Sequence, residues 1–206
     1  VTSTEALYLL GTAVFAITGV LAAARQNMDV MSFVIIGVVT AIGGGTIRDL
    51  VLDRPVFWLH DTAYLHVAAG AALITFFFER WLRETFHVFL YLDALATAMF
   101  TVLATERTLQ YGFPPGIAVL MGVLTGIGGG VIRDLLTGLP TILMRRELFM
   151  TPILIGGFLY VSARALTDLP QQPVSLISIA VITGVRFGAI RWGWGFPDWL
   201  TYRPAR

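Results

Sequence analysis

The chain has 206 residues, 56% hydrophobic and 13% charged, against roughly 25% charged in a soluble domain; with a mean hydropathy of +0.78 this excludes an ordinary water-soluble globule. The net charge of +1 comes from 14 basic residues, all arginine, and 13 acidic ones, so no basic stripe exists for phosphates and no nucleic-acid partner is expected. Cysteine is absent, which rules out disulfides, thiol catalysis and cysteine–zinc sites.

A helix needs about 20 mostly apolar residues to cross the hydrocarbon core. Seven runs are read as spans, at 6–24, 31–53, 62–79, 88–105, 115–138, 150–167 and 174–190. The predicted fold class is an all-α integral membrane protein of seven transmembrane helices in a single domain over 1–206. The first run is read as a retained helix: Val1 to Glu5 carries no positive charge and no small-residue cleavage site stands out, unlike a signal peptide. A start at Val1 rather than Met reads as trimming. Asp61 and Thr62 open the third run, and Thr151 with Pro152 opens the sixth as a cap and first-turn proline. Trp58, Tyr64, Trp81, Tyr91, Tyr111, Tyr160, Trp192, Trp194 and Trp199 fall near span ends, as an interfacial belt requires. One loop set and the tail hold Arg25, Arg80, Arg83, Arg145, Arg146, Arg186, Arg191, Arg203 and Arg206, and the other holds Arg54, Arg107 and Arg164. Arginine bias of this kind marks the cytoplasmic side, so the expected arrangement is a multi-pass inner-membrane protein with its N-terminus outside and C-terminus in the cytoplasm.

The chain repeats itself without gaps at an offset of 85 residues. Gly37 to Leu50 reads GVVTAIGGGTIRDL and Gly122 to Leu135 reads GVLTGIGGGVIRDL, with eleven of fourteen positions identical. The match extends back to Thr12, Ala13 and Phe15 against Thr97, Ala98 and Phe100, and forward to Pro55 against Pro140. The expected units are repeat one at 6–84, repeat two at 88–168 and a seventh helix at 174–190. Three spans per repeat, an odd number, insert the copies in opposite directions, an arrangement common in transport proteins.

Gly43, Gly44 and Gly45, and Gly128, Gly129 and Gly130, fall mid-span. Each glycine costs about 1 kcal/mol of helix propensity relative to alanine, and a triplet favours a kink or unwound turn, tolerated at membrane depth only when buried in protein or lining a watery cavity. The alternative is close packing, since Gly122, Gly126 and Gly130, and Gly37, Ala41 and Gly45, follow small-residue spacing. Arg48 with Asp49, and Arg133 with Asp134, lie three to six residues further on, where charges must face protein or water. Neighbours on a helix point about 100° apart, so each charge is expected to meet a group on another span rather than its neighbour. Thr40, Gly44 and Arg48 share one stripe, repeated as Thr125, Gly129 and Arg133, and Gly45 with Asp49 share the next, repeated as Gly130 with Asp134. A hydroxyl, bare backbone and a charge on one face is pore-like; ion pairs locking the repeats together are the structural alternative. Inversion puts Arg48 and Asp49 on the outer side of the midplane and Arg133 and Asp134 on the inner side.

His60, His66 and His87 lack metal-ligand spacing, and the triplets lack the Lys-Ser/Thr of a phosphate loop. No cofactor, resident metal or enzymatic activity is expected. Asp93, Glu106 and Arg107 at the ends of the fourth span read as solvated interfacial charges or vestibule groups. Arg145, Arg146 and Glu147 with the arginine tail fix topology or attract anionic membrane lipid, and Gly184 with Gly188 reads as a packing face.

The paired GxxTxIGGGxIRDL blocks resemble prokaryotic members of the trimeric intracellular cation channel (TRIC) family, whose bacterial sequences are also labelled glycine transporters. The resemblance spans nearly the whole chain and implies a homotrimer with an hourglass pore in each subunit, lined by the second and fifth spans, kinked at Gly43–Gly45 and Gly128–Gly130, and permeable to potassium and sodium. Animal members carry a lysine-glutamate-valine motif tied to phosphoinositide binding; this chain has no lysine. The leading expectation is a monovalent-cation channel in which glycine carbonyls and the Thr40 and Thr125 hydroxyls replace water around the ion, and Asp49 and Asp134 offset Arg48 and Arg133. Its rivals are a carrier for a small zwitterion such as glycine and a non-conducting scaffold.

Overall fold

The structure is a computed structural model and describes residues 3–24, 26, 28–82, 86–141 and 148–195. Arg25, Arg83, Arg145, Arg146, Glu147, Trp199, Arg203 and Arg206, which entered the topology and belt readings, lie outside the described residues, as do the side chains of Arg80 and Trp81.

Among the described residues eight helices follow one another: α1 (Ser3–Ala23), α2 (Val30–Val51), α3 (Phe57–His60), α4 (Ala63–Leu82), α5 (Phe86–Gln110), α6 (Pro115–Thr137), α7 (Met150–Leu166) and α8 (Gln171–Trp192). Five of them, α1, α2, α5, α6 and α8, are long and apolar enough to cross a membrane, and the apolar stretches of α4 and α7 are shorter. Phe77 at 72%, Leu135 at 69% and Leu50 at 66% exposure turn large apolar groups outward, as a bilayer requires and water does not favour. The chain is a multi-pass helical membrane protein.

Local chemistry sets the helix ends. Asp29 caps α2, its carboxylate accepting from the Ser32 N–H at 2.8 Å, a bond that holds this carboxyl below its ordinary range. Asp61 accepts from the Ala63 N–H at 2.9 Å, as its position before the third run anticipates. Thr151 is not a cap: α7 begins at Met150, so Thr151 already lies inside the helix. α2 and α6 terminate alike, with Asp53 at φ 51° and Gly138 at φ 67° in the left-handed region. In each, the next N–H reaches back to an aspartate carbonyl, Arg54 to Asp49 at 2.8 Å and Leu139 to Asp134 at 3.0 Å, which satisfies carbonyls left open at a helix end.

The sequence reading ended the fourth span at 105, but α5 runs on to Gln110. The reason is burial. Glu106, read as a solvated interfacial charge, is 4% exposed and accepts from the hydroxyl of Ser175 on α8 at 2.7 Å and from Gln171. α5 is the innermost helix, packed against α1, α6, α7 and α8, with Ala94, Ala98, Val102 and Ala104 fully enclosed. Tyr64 and Tyr160, expected in the aromatic belt, are buried, and Arg186, counted with the tail, is buried inside α8 and donates to the Leu148 carbonyl at 2.9 Å. Gly184 has no neighbour within 4 Å of an added Cβ, whereas Gly188 meets Trp192 and Trp194; the expected packing face holds at one of its two glycines.

Candidate functional site

α2 and α6 cross in an antiparallel register at the two glycine triplets. A Cβ on Gly44 would stand 2.1 Å from the Thr125 carbonyl oxygen, and one on Gly129 would stand 2.2 Å from the Thr40 carbonyl oxygen. These two contacts exchange under the 85-residue offset, so each repeat supplies the same donor of space and the same carbonyl. Both helices remain continuous through their triplets. The unwound turn that the glycines allowed is therefore not formed: removing Cβ atoms is used for close approach of two backbones, as in small-residue helix packing. Thr40 and Thr125 are buried and donate their hydroxyl protons to the carbonyls one turn back, Ile36 and Met121, each at 2.6 Å.

An arginine–aspartate pair stands beyond the crossing at each end. Contrary to the expectation from Cα directions, neighbours pair with each other. Arg48 Nε donates to Asp49 Oδ1 at 2.8 Å and its Nη2 lies 2.7 Å from the same oxygen; Arg133 Nε and Nη2 both reach Asp134 Oδ1 at 2.8 Å. The flexible arginine stem curls back across the 100° that separates the two Cβ vectors. Cross-span partners are present as well. Asp49 Oδ2 accepts from the Phe57 N–H at 3.0 Å. Arg133 Nη1 donates to Asp93 Oδ1 of α5 at 2.7 Å and to Thr18 Oγ1 of α1 at 3.1 Å, with its guanidinium 4.6 Å above the Phe89 ring. Asp93, read as an interfacial charge, is 1% exposed. Arg48, Asp49, Arg133 and Asp134 are all buried, so four charges sit in the interior with their partners, as buried charges must.

The space around the crossing narrows from one end. A cavity of about 590 Å³, lined in part by Glu5, Asp61, Tyr64, Glu106, Arg107 and Tyr111, opens at the N-terminal end of α1. Tyr8 and Phe57 line both this cavity and the closed layer that holds Arg48 and Gly45. Past the crossing, beside Asp93 and Asp134, a pocket of only about 10 Å³ remains. Mixed charge lines the larger cavity, buried ion pairs stand on either side of the crossing, and the helix backbones touch where they cross.

A family model described as Glycine transporter matches the chain twice, over residues 5–80 and 90–165, two copies at the spacing of the sequence repeat. A crystal structure of the TRIC trimeric intracellular cation channel orthologue from Rhodobacter sphaeroides superposes with a TM-score of 0.90 at 40% identity, covering 94% of this chain and 100% of that one. The chain belongs to the TRIC family. A second solved TRIC cation channel is 29% identical with a TM-score of 0.84, covering 99% and 100% of the two chains. The UPF0126 inner membrane protein YadS of Escherichia coli is 40% identical over 188 residues, 90% of this chain and 91% of its own.

Of the residues singled out in the sequence, the structure of this TRIC-family chain brings the two glycine triplets together and sets one Arg–Asp pair at each end of them. The sequence reading missed Thr18, Phe57 and Phe89 as partners of those charges. Thr18 and Phe89 carry no motif. Phe57 sits in a four-residue helix too short to register in hydropathy.

Proposed function

We propose that this protein is a monovalent-cation channel that passes potassium and sodium through a pore inside each subunit of a homotrimer, in the inner membrane, with the N-terminus outside and the C-terminus cytoplasmic. The observation that carries the reading is the reciprocal crossing of α2 and α6, with backbone carbonyls and glycines at its waist and a buried Arg–Asp pair on either side. The described solved relatives are cation channels. In this reading the two repeats are inverted in the membrane and α8 closes the subunit. The pore is lined by Thr40, Gly43, Gly44, Gly45, Arg48 and Asp49 and by Thr125, Gly128, Gly129, Gly130, Arg133 and Asp134. Conduction requires the backbones to part at the waist, and the triplets, with their low helix propensity, are the hinges at which α2 and α6 kink to do so. Carbonyls freed there replace water around the ion, while each aspartate offsets its arginine.

The description of the family model favours a second reading, a carrier of glycine or a similar zwitterion. Vesicles loaded with a potassium-sensitive dye separate the two. A channel gives rapid, glycine-independent potassium entry that Asp134→Asn reduces; saturable glycine uptake without potassium entry refutes the channel. Native mass spectrometry is expected to show three 22.5 kDa chains together, and a monomer would remove the trimer.

A further inference from the structure

The last turns of α8 carry a face left open among the described residues. Gly184 is followed by Phe187, Gly188 and Arg191 at three, four and seven residues, which puts them on one stripe of the helix. A Cβ on Gly184 would have no neighbour within 4 Å. The space there belongs to a groove of about 460 Å³ walled by Phe187, Trp192 and, from α5, Tyr91, whose ring stands edge-on to Phe187 with centroids 4.7 Å apart.

The groove ends in an aromatic rim. Gly193 at φ 65° turns the chain back after α8, and the Trp194 N–H donates to the Ala189 carbonyl at 3.1 Å. Trp192 and Trp194 thereby stack with centroids 5.3 Å apart and fold over Gly188, where an added Cβ would stand 2.9 Å from the Trp194 ring. Trp192 is 67% exposed, as suits a ring at headgroup level. Arg191 is exposed, is the one charged residue of the lining, and has no hydrogen-bond or ion-pair partner among the described residues. Gly184 lies seven residues earlier, about 10 Å along the helix axis.

We propose that this groove holds one anionic membrane phospholipid, with its phosphate on the Arg191 guanidinium and an acyl chain running past Phe187 to Gly184. The charge selects the headgroup, because a guanidinium offers a phosphate two parallel N–H donors. The uncharged wall and the missing Cβ of Gly184 select a thin apolar chain beside it. An apolar helix of another subunit laid in the same groove would bury Arg191 without a carboxylate to meet it, a costly arrangement. The site requires only that the chain lie in a membrane and is independent of what the protein conducts.

Native mass spectrometry of the detergent-purified protein, titrated with phosphatidylglycerol or phosphatidylcholine of the same acyl chains, tests the site. Phosphatidylglycerol is expected to be retained at lower added concentration than phosphatidylcholine, and equal retention of the two overturns the proposal. Arg191→Ala is expected to raise the phosphatidylglycerol required about fivefold, the worth of one arginine near an anionic surface, and to leave phosphatidylcholine retention unchanged. Gly184→Leu enters open space, so it leaves the fold intact while blocking the chain, and is expected to weaken retention of both lipids several-fold. Phosphatidylglycerol retention unchanged in either variant overturns the proposal. Loss of subunits from the assembly in Gly184→Leu would show a second copy of the chain to occupy the groove, and overturns it as well.

Discussion

Substituting Gly44 by alanine perturbs the waist at one atom. The new Cβ would lie 2.1 Å from the Thr125 carbonyl oxygen, which belongs to backbone and has no rotamer to escape into. Ordinary contact needs more than 3 Å, so α2 and α6 must move apart by about 1 Å along much of their shared face. Overpacking of this kind costs about 1 to 3 kcal/mol, partly offset by up to about 1 kcal/mol of helix propensity gained on replacing glycine. For a chain of this size each kcal/mol is roughly 2 to 4 °C of melting temperature, so the net cost is expected as a fall of up to about 12 °C by scanning fluorimetry in detergent. Gly129→Ala, with its Cβ 2.2 Å from the Thr40 carbonyl, should match it. Gly70→Ala on α4 is the control, because nothing stands within 4 Å of its added Cβ, and it should be neutral or stabilising. Equal melting temperatures for Gly44→Ala and Gly70→Ala would refute the argument that the triplets exist for close approach.

The buried charges give the other expectations. Asp134→Asn strips Arg133 of one of two carboxylates; with Asp93 retained, a loss near the lower end of the 3 to 5 kcal/mol for a broken buried pair is expected, together with reduced potassium conductance in bilayers. Unchanged conductance would remove Asp134 from the pathway. Ser175→Ala deletes a hydroxyl that donates to the buried Glu106 carboxylate at 2.7 Å, and a melting shift corresponding to about 1.5 to 3 kcal/mol is expected; no shift would show that Glu106 is satisfied otherwise. Tyr8→Phe should cost about 1 kcal/mol by leaving the buried Leu103 carbonyl without this donor, and a neutral result by the same assay would contradict it.

The positions of the long helices were legible because their apolar runs are long and their interruptions short. The glycine and Arg–Asp blocks stood out because the chain states them twice. Three things were not legible, each for a physical reason. Hydropathy treats Asp93 and Glu106 as charges near span ends, yet burial depends on which helices close over them, and α1, α6 and α8 do so through Thr18, Arg133 and Ser175. Cα directions separate Arg48 from Asp49, but the arginine stem is long enough to return to its neighbour. The glycine triplets carried two meanings, a broken helix or a close crossing, and only the position of the facing carbonyls decides for the close crossing. The repeat that matches so closely at Arg133 exchanges Tyr8 for Asp93.

Single-channel recording of the purified protein in a planar bilayer under asymmetric potassium chloride tests the central claim most directly. Discrete current steps reversing near the potassium equilibrium potential are the expected result. A bilayer that stays silent while the same protein drives saturable glycine uptake into vesicles would contradict it.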